Sequence, residues 1–334
     1  MTPAVTTAHN VPRVRLRTVV AVVLLAGLAL VPPIAAAMHE SYYVTLFTRI
    51  VILALAAVGL NLILGFGGLV SFGHAMFFGM AGYFFGHVVK VWNMPPEIGL
   101  LAGVLGAALL GLVTGALAIR RQGIYFAMIT LAFAQLIYFL CVQLPFTGGE
   151  DGLQGIARKA LLGGLLPIKN DRVLYYVVLA IFLFGYAAIY RFIHSPFGQV
   201  LKAIRDNEQR AVSLGYEADR YKLLAFVLSA ALAGLAGATK AMVLQFATLT
   251  DVSAGMSGEV VLMALVGGLG TIVGPVVGAF IIVTMQNYLA SFGEFVLVIQ
   301  GVIFVVIVMA FRKGLVGEFS EWWRARRRAP GMAD

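Results

Sequence analysis

The residues with most chemical capacity in this chain are a few charged and hydroxyl-bearing side chains set inside long apolar runs. Arg49, Lys240 and Glu259 each fall within or beside such a run. An ionisable group there requires an ion-pair partner, a route to the interface or aqueous access. Glu259 accordingly fits helix packing, gating or direct contact with a solute, and the partner of Arg49 is not legible. Ser71, Phe72 and His74 sit in a glycine-rich stretch, GFGGLVSFGHAMFFGMAGYFFGHVVK, at residues 65–90. His74 admits a metal-ligand or proton-relay reading, but His9, His39, His87 and His194 form no short ligand cluster with it. A hydrogen-bonded structural or pore-lining histidine is expected instead. Cys141 is the single cysteine, which precludes an intrachain disulfide and a thiolate cluster. GFGGLVSF lacks the lysine of a phosphate-binding loop, and G-x-x-x-x-G-K-[ST] occurs nowhere. In TGGEDG, Gly148 and Gly149 free the backbone beside Thr147, Glu150 and Asp151. No reacting group is placed near either carboxylate, so neither reads as an acid or base catalyst.

The elements that position these groups are hydrophobic. Of 334 residues 61% are hydrophobic and 12% charged, and the mean hydropathy is +0.94. Little chain remains outside the apolar blocks, so the expected fold is an all-α polytopic membrane protein without a separate soluble catalytic domain. The formal charge of +9 would suit nucleic acid in a soluble protein. Here it is concentrated at the ends of apolar blocks, in Arg13, Arg15 and Arg17, in Arg120 and Arg121, and in Arg324, Arg326, Arg327 and Arg328. Such a distribution orients spans, with membrane lipid and no nucleic acid as the partner, and sets both termini on the cytoplasmic side.

Both termini inside require an even number of crossings, and about ten are expected. The first block, residues 18–38, has the basic flank of a signal peptide, but its length, Pro32 and Pro33 favour a retained anchor. Blocks follow at 42–64, 65–90, 98–119, 123–144, 172–190 and 221–248, then at 257–270, 271–291 and 294–311. The stretches 65–90 and 257–270 read as short or broken spans. Gly67 and Gly68 in the first and Gly267 and Gly268 in the second combine with small residues, as in broken helices around a pathway near the membrane centre. Tyr125 and Phe126 open the block at 123–144 and are candidates to line such a pathway. The chain thus divides into a basic N-terminal tail at 1–17, a membrane domain at 18–311 with an external loop at 145–171, and a basic C-terminal tail at 312–334. The basic residues of that loop, Arg158, Lys159, Lys169 and Arg172, weakly oppose its external placement.

Between two apolar blocks lies the longest charged run, SPFGQVLKAIRDNEQRAVSLGYEADRYK at 195–222. Pro196 suits a helix start and Gly215 a helix end. Val200, Leu201, Ile204, Ala211, Val212 and Leu214 recur at helical spacing among charges, which predicts one short amphipathic helix. Its apolar side suits lipid or another protein surface.

Four features in order carry a resemblance: NLILGFGGLVSFGHAMFFGMAGYFFG from Asn61, RRQGIYFAMITLAFAQLIYFL from Arg120, TGGEDGLQGI from Thr147 and the charged segment from Ser195. Over about residues 40–315 the chain resembles the LivM-type permeases of high-affinity branched-chain amino acid ABC transporters. The resemblance implies a transport subunit of the bacterial cytoplasmic (inner) membrane rather than an enzyme. It implies a LivH-like second permease, two ATP-binding subunits of LivG/LivF type and a periplasmic or extracellular amino acid-binding protein as partners. ATP and Mg would be used by those partner subunits, with no cofactor bound by this chain. Segment 195–222 would be a coupling region docking on an ATP-binding subunit. Leu201, Ala203, Ile204, Ala211 and Gly215 would form its small or apolar surface, and Arg205, Asp206, Glu208 and Arg210 its polar contacts. The residues at 147–151 would face the delivery protein. A permease for urea, short amides or another small polar solute is the nearest alternative, and an autonomous channel or secondary transporter shares the broken-span pattern.

Overall fold

The computed structural model describes residues 27–35, 40–164, 168, 170–311 and 314–318. The terminal arginine clusters and Lys169 lie outside the described residues, as does most of the first apolar block, of which residues 27–35 are helical. The described chain is helical, and its one isolated antiparallel bridge joins Leu153 to Ala247. The helices are α1 (Ser41–Asn61), α2 (His74–Lys90), α3 (Pro96–Ala118), α4 (Ile124–Gln143) and α5 (Asp171–His194). The charged segment supplies α6 (Pro196–Asp206) and α7 (Glu208–Ser213). The chain continues through α8 (Ala218–Leu244), α9 (Ala254–Gly267), α10 (Gly274–Leu289) and α11 (Val296–Ala310).

By length and composition, α1 with its π-helical extension, α3, α4, α5 and α8 can each cross a membrane, and α9, α10 and part of α11 are shorter apolar helices. Their faces show what surrounds them. Leu101, Leu105, Leu109 and Leu112 form an exposed stripe down α3, and Val298, Val302, Val305 and Met309 another down α11. Apolar bands of that extent belong in hydrocarbon rather than water. This is a multi-pass membrane protein.

A helix that is apolar all round belongs at the centre, and α1 is buried along most of its length, packed against α5, α8, α9 and α10. Lipid-exposed helices gain little from burying apolar area against each other, so close backbone approach has to hold the bundle. Helix α8 provides it through Ala230, Ala233, Gly234, Ala236, Gly237 and Ala238, all buried against α2 and α3. A Cβ on Gly237 would run into the backbone carbonyl of Phe78. Only glycine permits that approach.

Helices α1–α5 and α8–α11 run between two faces. At one face lie the charged segment and the breaks after α1 and α9; at the other lie the connections 91–95, 144–170 and 245–253. The loop after α4 is built inward. Leu153 and Ala247 exchange two backbone hydrogen bonds of 2.9 Å, and Ile156 N–H donates to Gln245 O at 2.9 Å. Two of the four basic residues that weakened its external assignment are occupied by the protein itself. Arg158 pairs with Asp171 at 3.0 Å and donates to Val243 O at 2.7 Å, and Lys159 donates to Val89 O, Asn93 Oδ1 and Met94 O.

Candidate coupling and translocation site

Segment 195–222 is two helices, and the single continuous helix expected from periodicity is corrected. Ser195 caps α6 by accepting from Gly198 N–H at 3.3 Å, with Pro196 in the first turn. Asn207 then takes an extended backbone (φ −159°, ψ 97°) and its side chain accepts from Arg210 N–H at 3.0 Å, starting α7. An N-cap thus interrupts what hydrophobic spacing alone reads as continuous. Gly215, at φ +90°, ends the turn after α7, as expected of a C-terminal glycine.

The expected docking surface is also redistributed. Leu201 is 1% exposed, Ile204 2% and Ala211 3%, so these side chains hold the segment to its own bundle and offer nothing to another protein. Ile204, Ala211 and Ala218 pack together with Val200 and Tyr221. Lys222, buried at the start of α8, donates to Glu208 Oε1 at 2.5 Å and fixes α7, which takes Glu208 out of the expected outward contacts. What remains exposed is Ala203, Arg205, Asp206, Arg210 and Gly215 of the expected set, joined by Val212, Leu214 and Tyr216.

Arg205 reaches in the opposite sense to the one expected. Its Nη1 donates to Gly65 O at 2.8 Å, while Nε and Nη2 both reach Asp206 Oδ1, at 3.0 and 2.8 Å. Gly65 belongs to a π-helical turn, Leu62–Phe66, that closes α1. The wider turn leaves carbonyls out of register with the α-helical ladder, a feature common at functional sites. Gly68 follows at φ +70°, and a Cβ there would lie 2.6 Å from Arg205 Cγ, so the arginine stem rests on bare backbone. Lys202, one turn earlier, donates to Ile193 O at 3.2 Å and lies over the Phe66 ring at 5.7 Å. Burial, with the Arg205 charge beside it, holds the Lys202 ammonium below the usual lysine range.

The second break meets the first. Asn61 Nδ2 donates to Thr271 O at 2.8 Å, and Asn61 Oδ1 accepts from Gly270 N–H at 3.1 Å. Gly268 and Gly270 take φ of +116° and +71° to make this turn, and Thr271 Oγ1 donates to Gly268 O at 2.8 Å and accepts from Gly274 N–H at 3.0 Å. The two breaks thereby meet through Asn61, Gly65, Gly270 and Thr271, next to the Arg205 side chain of α6.

Ser71 and His74 are packed inside instead of lining open space. Ser229 Oγ donates to Gly59 O at 2.6 Å, so it accepts from His74 Nε2 at 2.8 Å. His74 Nδ1 is then the acceptor for the Ser71 hydroxyl at 3.1 Å, and Ser71 Oγ accepts from Gly73 N–H at 3.3 Å. Every donor and acceptor in this chain is used, which defines the Nε2–H tautomer and a neutral ring. Thr130 Oγ1 accepts from Phe72 N–H at 3.3 Å and Ser257 Oγ from Ala75 N–H at 2.9 Å, so hydroxyls from α4 and α9 satisfy the start of α2. Phe126 is fully buried against Phe226, with ring centroids 5.8 Å apart, whereas Phe72 is 37% and Tyr125 67% exposed. Among the described residues no group of acidic, histidine or cysteine side chains could hold a metal ion.

At the other face, Thr147 is buried and donates to Cys141 O and Leu144 O at 2.5 and 2.8 Å, so it closes α4 and faces no partner. Gly148 and Gly149, both at positive φ, make the turn that leaves Glu150 and Asp151 exposed. Asn61, Thr130 and Ser229 were not singled out from sequence. The signal available was a lone polar side chain interrupting or closing an apolar run.

Comparison with known proteins agrees with this architecture. Residues 42–308 match the family described as branched-chain amino acid transport system / permease component, and the chain belongs to that family. It is 27% identical over 300 residues to the high-affinity branched-chain amino acid transport system permease protein LivM of Escherichia coli strain K12, covering 82% of this chain and 69% of that one. It is 33% identical over 182 residues to the ribose import permease protein RbsC of Bacillus subtilis, covering 51% and 52%. It is also 28% identical over 197 residues to the autoinducer 2 import system permease protein LsrC of Klebsiella pneumoniae, covering 55% and 53%. No solved structure matches the chain.

Proposed function

We propose that this chain is the LivM-like permease subunit of an ATP-driven importer of leucine, isoleucine and valine in the bacterial cytoplasmic membrane. The observation that carries the mechanism is the Arg205 contact to Gly65 O, which joins a solvent-facing charged segment to the broken end of α1. The two-helix segment α6–α7 docks on an ATP-binding subunit through Ala203, Arg210, Val212, Leu214 and Tyr216. Movement of that subunit on ATP binding displaces α6, and Arg205 passes the displacement to the turn at residues 62–68. Asn61 passes it on to Gly270 and Thr271, so the ends of α1 and α9 shift together and access changes from one face to the other. Both termini and α6–α7 are cytoplasmic. Glu150 and Asp151 face a delivery protein on the opposite side, and a LivH-like permease completes the pathway. ATP and Mg act in the partner subunits.

Amino acid cargo is favoured over ribose or autoinducer 2 because the match to the LivM of Escherichia coli spans 82% of the chain, against 51% for the ribose permease and up to 71% for autoinducer 2 permeases. Proteoliposomes holding the chain with a second permease, two ATP-binding subunits and a binding protein test the proposal. Uptake of labelled leucine dependent on ATP, competed by isoleucine and valine but not by ribose or urea, is the expected result. Uptake that persists without the ATP-binding subunits would contradict it.

A further inference from the structure

The fold leaves two opposite charges without partners in one cleft. Among the described residues, Arg49, on α1, is exposed and has no carboxylate within ion-pair distance, and the Oε1 atom of Glu259, on α9, is buried with no hydrogen-bond donor. Both line a cleft of about 110 Å³. The cleft's other two charges are already used. Lys240 pairs with Asp251 and lies over the Phe246 ring, and Asp251 also accepts from Thr248. An ionisable side chain within a membrane bundle is costly unless a partner or function compensates it. Here one cation and one carboxylate lack partners across helices that pack together.

We infer that this cleft is a binding site for a zwitterionic α-amino acid, with Arg49 taking the carboxylate and Glu259 the ammonium group. Much of the remaining wall is apolar: Ile52 and Leu53 from α1, Val243 from α8 and Met256 from α9. An aliphatic side chain fits such a wall, whereas a sugar would leave its hydroxyls unpaired against it. The site lies in the half of the bundle away from α6, since Arg49 precedes the α1 break by several turns and Lys240 and Asp251 adjoin the 245–253 connection. A solute entering from the loop face would meet it before reaching the joined breaks at Asn61 and Gly270. The inference rests on the amino acid reading above and names the residues that would enact it.

The test uses the complete importer in proteoliposomes with L-leucine as probe. Glu259→Gln and Arg49→Gln are expected to lower uptake at sub-saturating leucine by ~10- to 100-fold, with partial recovery in Glu259→Asp and Arg49→Lys. A second readout needs no substitution of either charge. In a Cys141→Ala background, Thr45→Cys places a thiol on the cleft wall, and leucine should slow its methanethiosulfonate labelling several-fold. 4-Methylpentanoate, which lacks the ammonium group, should not. Leucine uptake unchanged in both charge-removing variants, or labelling indifferent to leucine in an active importer, overturns the site alone. An unsubstituted importer that takes up none of leucine, isoleucine and valine overturns the amino acid reading and the site with it.

Discussion

Arg205 works because the residues opposite it are small. With a Cβ, Gly68 would meet the Arg205 stem at 2.6 Å while holding φ +70°, so Gly68→Ala combines strain with a clash. It should destabilise the protein by about 1–3 kcal/mol and disturb the Arg205 contact to Gly65 O. Gly301→Ala, where a Cβ meets nothing within 4 Å, is the matched control and should stay within about 0.5 kcal/mol. Thermal unfolding in detergent followed by fluorescence measures both. His74 yields a second expectation at this scale. Ser229→Ala removes the acceptor for His74 Nε2–H and leaves a buried donor unpaired, at a cost of about 1–3 kcal/mol. The glycines of the breaks were legible in sequence as sites of irregular backbone. The pairing of Asn61 with Gly270 and Thr271 was not, because 209 and 210 residues separate the partners and nothing local selects one carbonyl from another.

At the scale of elements, the coupling segment is held by two devices, the apolar cluster around Ile204 and the ion pair of Lys222 with Glu208. The pair is nearly buried on the lysine side and partly exposed on the glutamate side, with side-chain exposures of 4% and 27%. Lys222→Met strands a partly screened carboxylate and Glu208→Gln strands a buried ammonium, so Glu208→Gln should be the more destabilising of the two. A double-mutant cycle read by thermal unfolding should return a coupling energy of about 1–3 kcal/mol between them. A coupling near zero would show that α7 is held by apolar packing alone. Sequence periodicity located this segment and its apolar residues but turned Leu201, Ile204 and Ala211 outward and merged α6 with α7. Ile204 and Ala211, seven residues apart, stay in helical phase across Asn207, and the interruption is an N-cap, a signal of residue chemistry rather than of period. The apolar blocks were readable because lipid demands long helices. Their order of burial was not, since α1 and α3 have similarly apolar sequences yet occupy the centre and the edge.

For the whole molecule, the proposed mechanism treats the joined breaks as the two hinge points of a lever. The face with α6 and α7 holds both helix breaks, and the opposite face holds the 145–171 loop and the cleft between α1 and α9. This polarity predicts sidedness. With Cys141 replaced, a cysteine at Gln209 should react with a membrane-impermeant thiol reagent only from the cytoplasmic side, and one at Glu150 only from the outside. Reaction of both from the same side would contradict the alternation of crossings. The central claim is narrower: Arg205 transmits motion from the coupling segment to the joined breaks. Its most direct measurement is leucine uptake and ATP hydrolysis, side by side, in the reconstituted importer carrying Arg205→Ala. The account predicts that uptake falls by tenfold or more, about 1.4 kcal/mol of lost coupling, while ATP hydrolysis stays within twofold of the unsubstituted importer. Uptake and hydrolysis that fall in equal proportion, or that both remain unchanged, would contradict it.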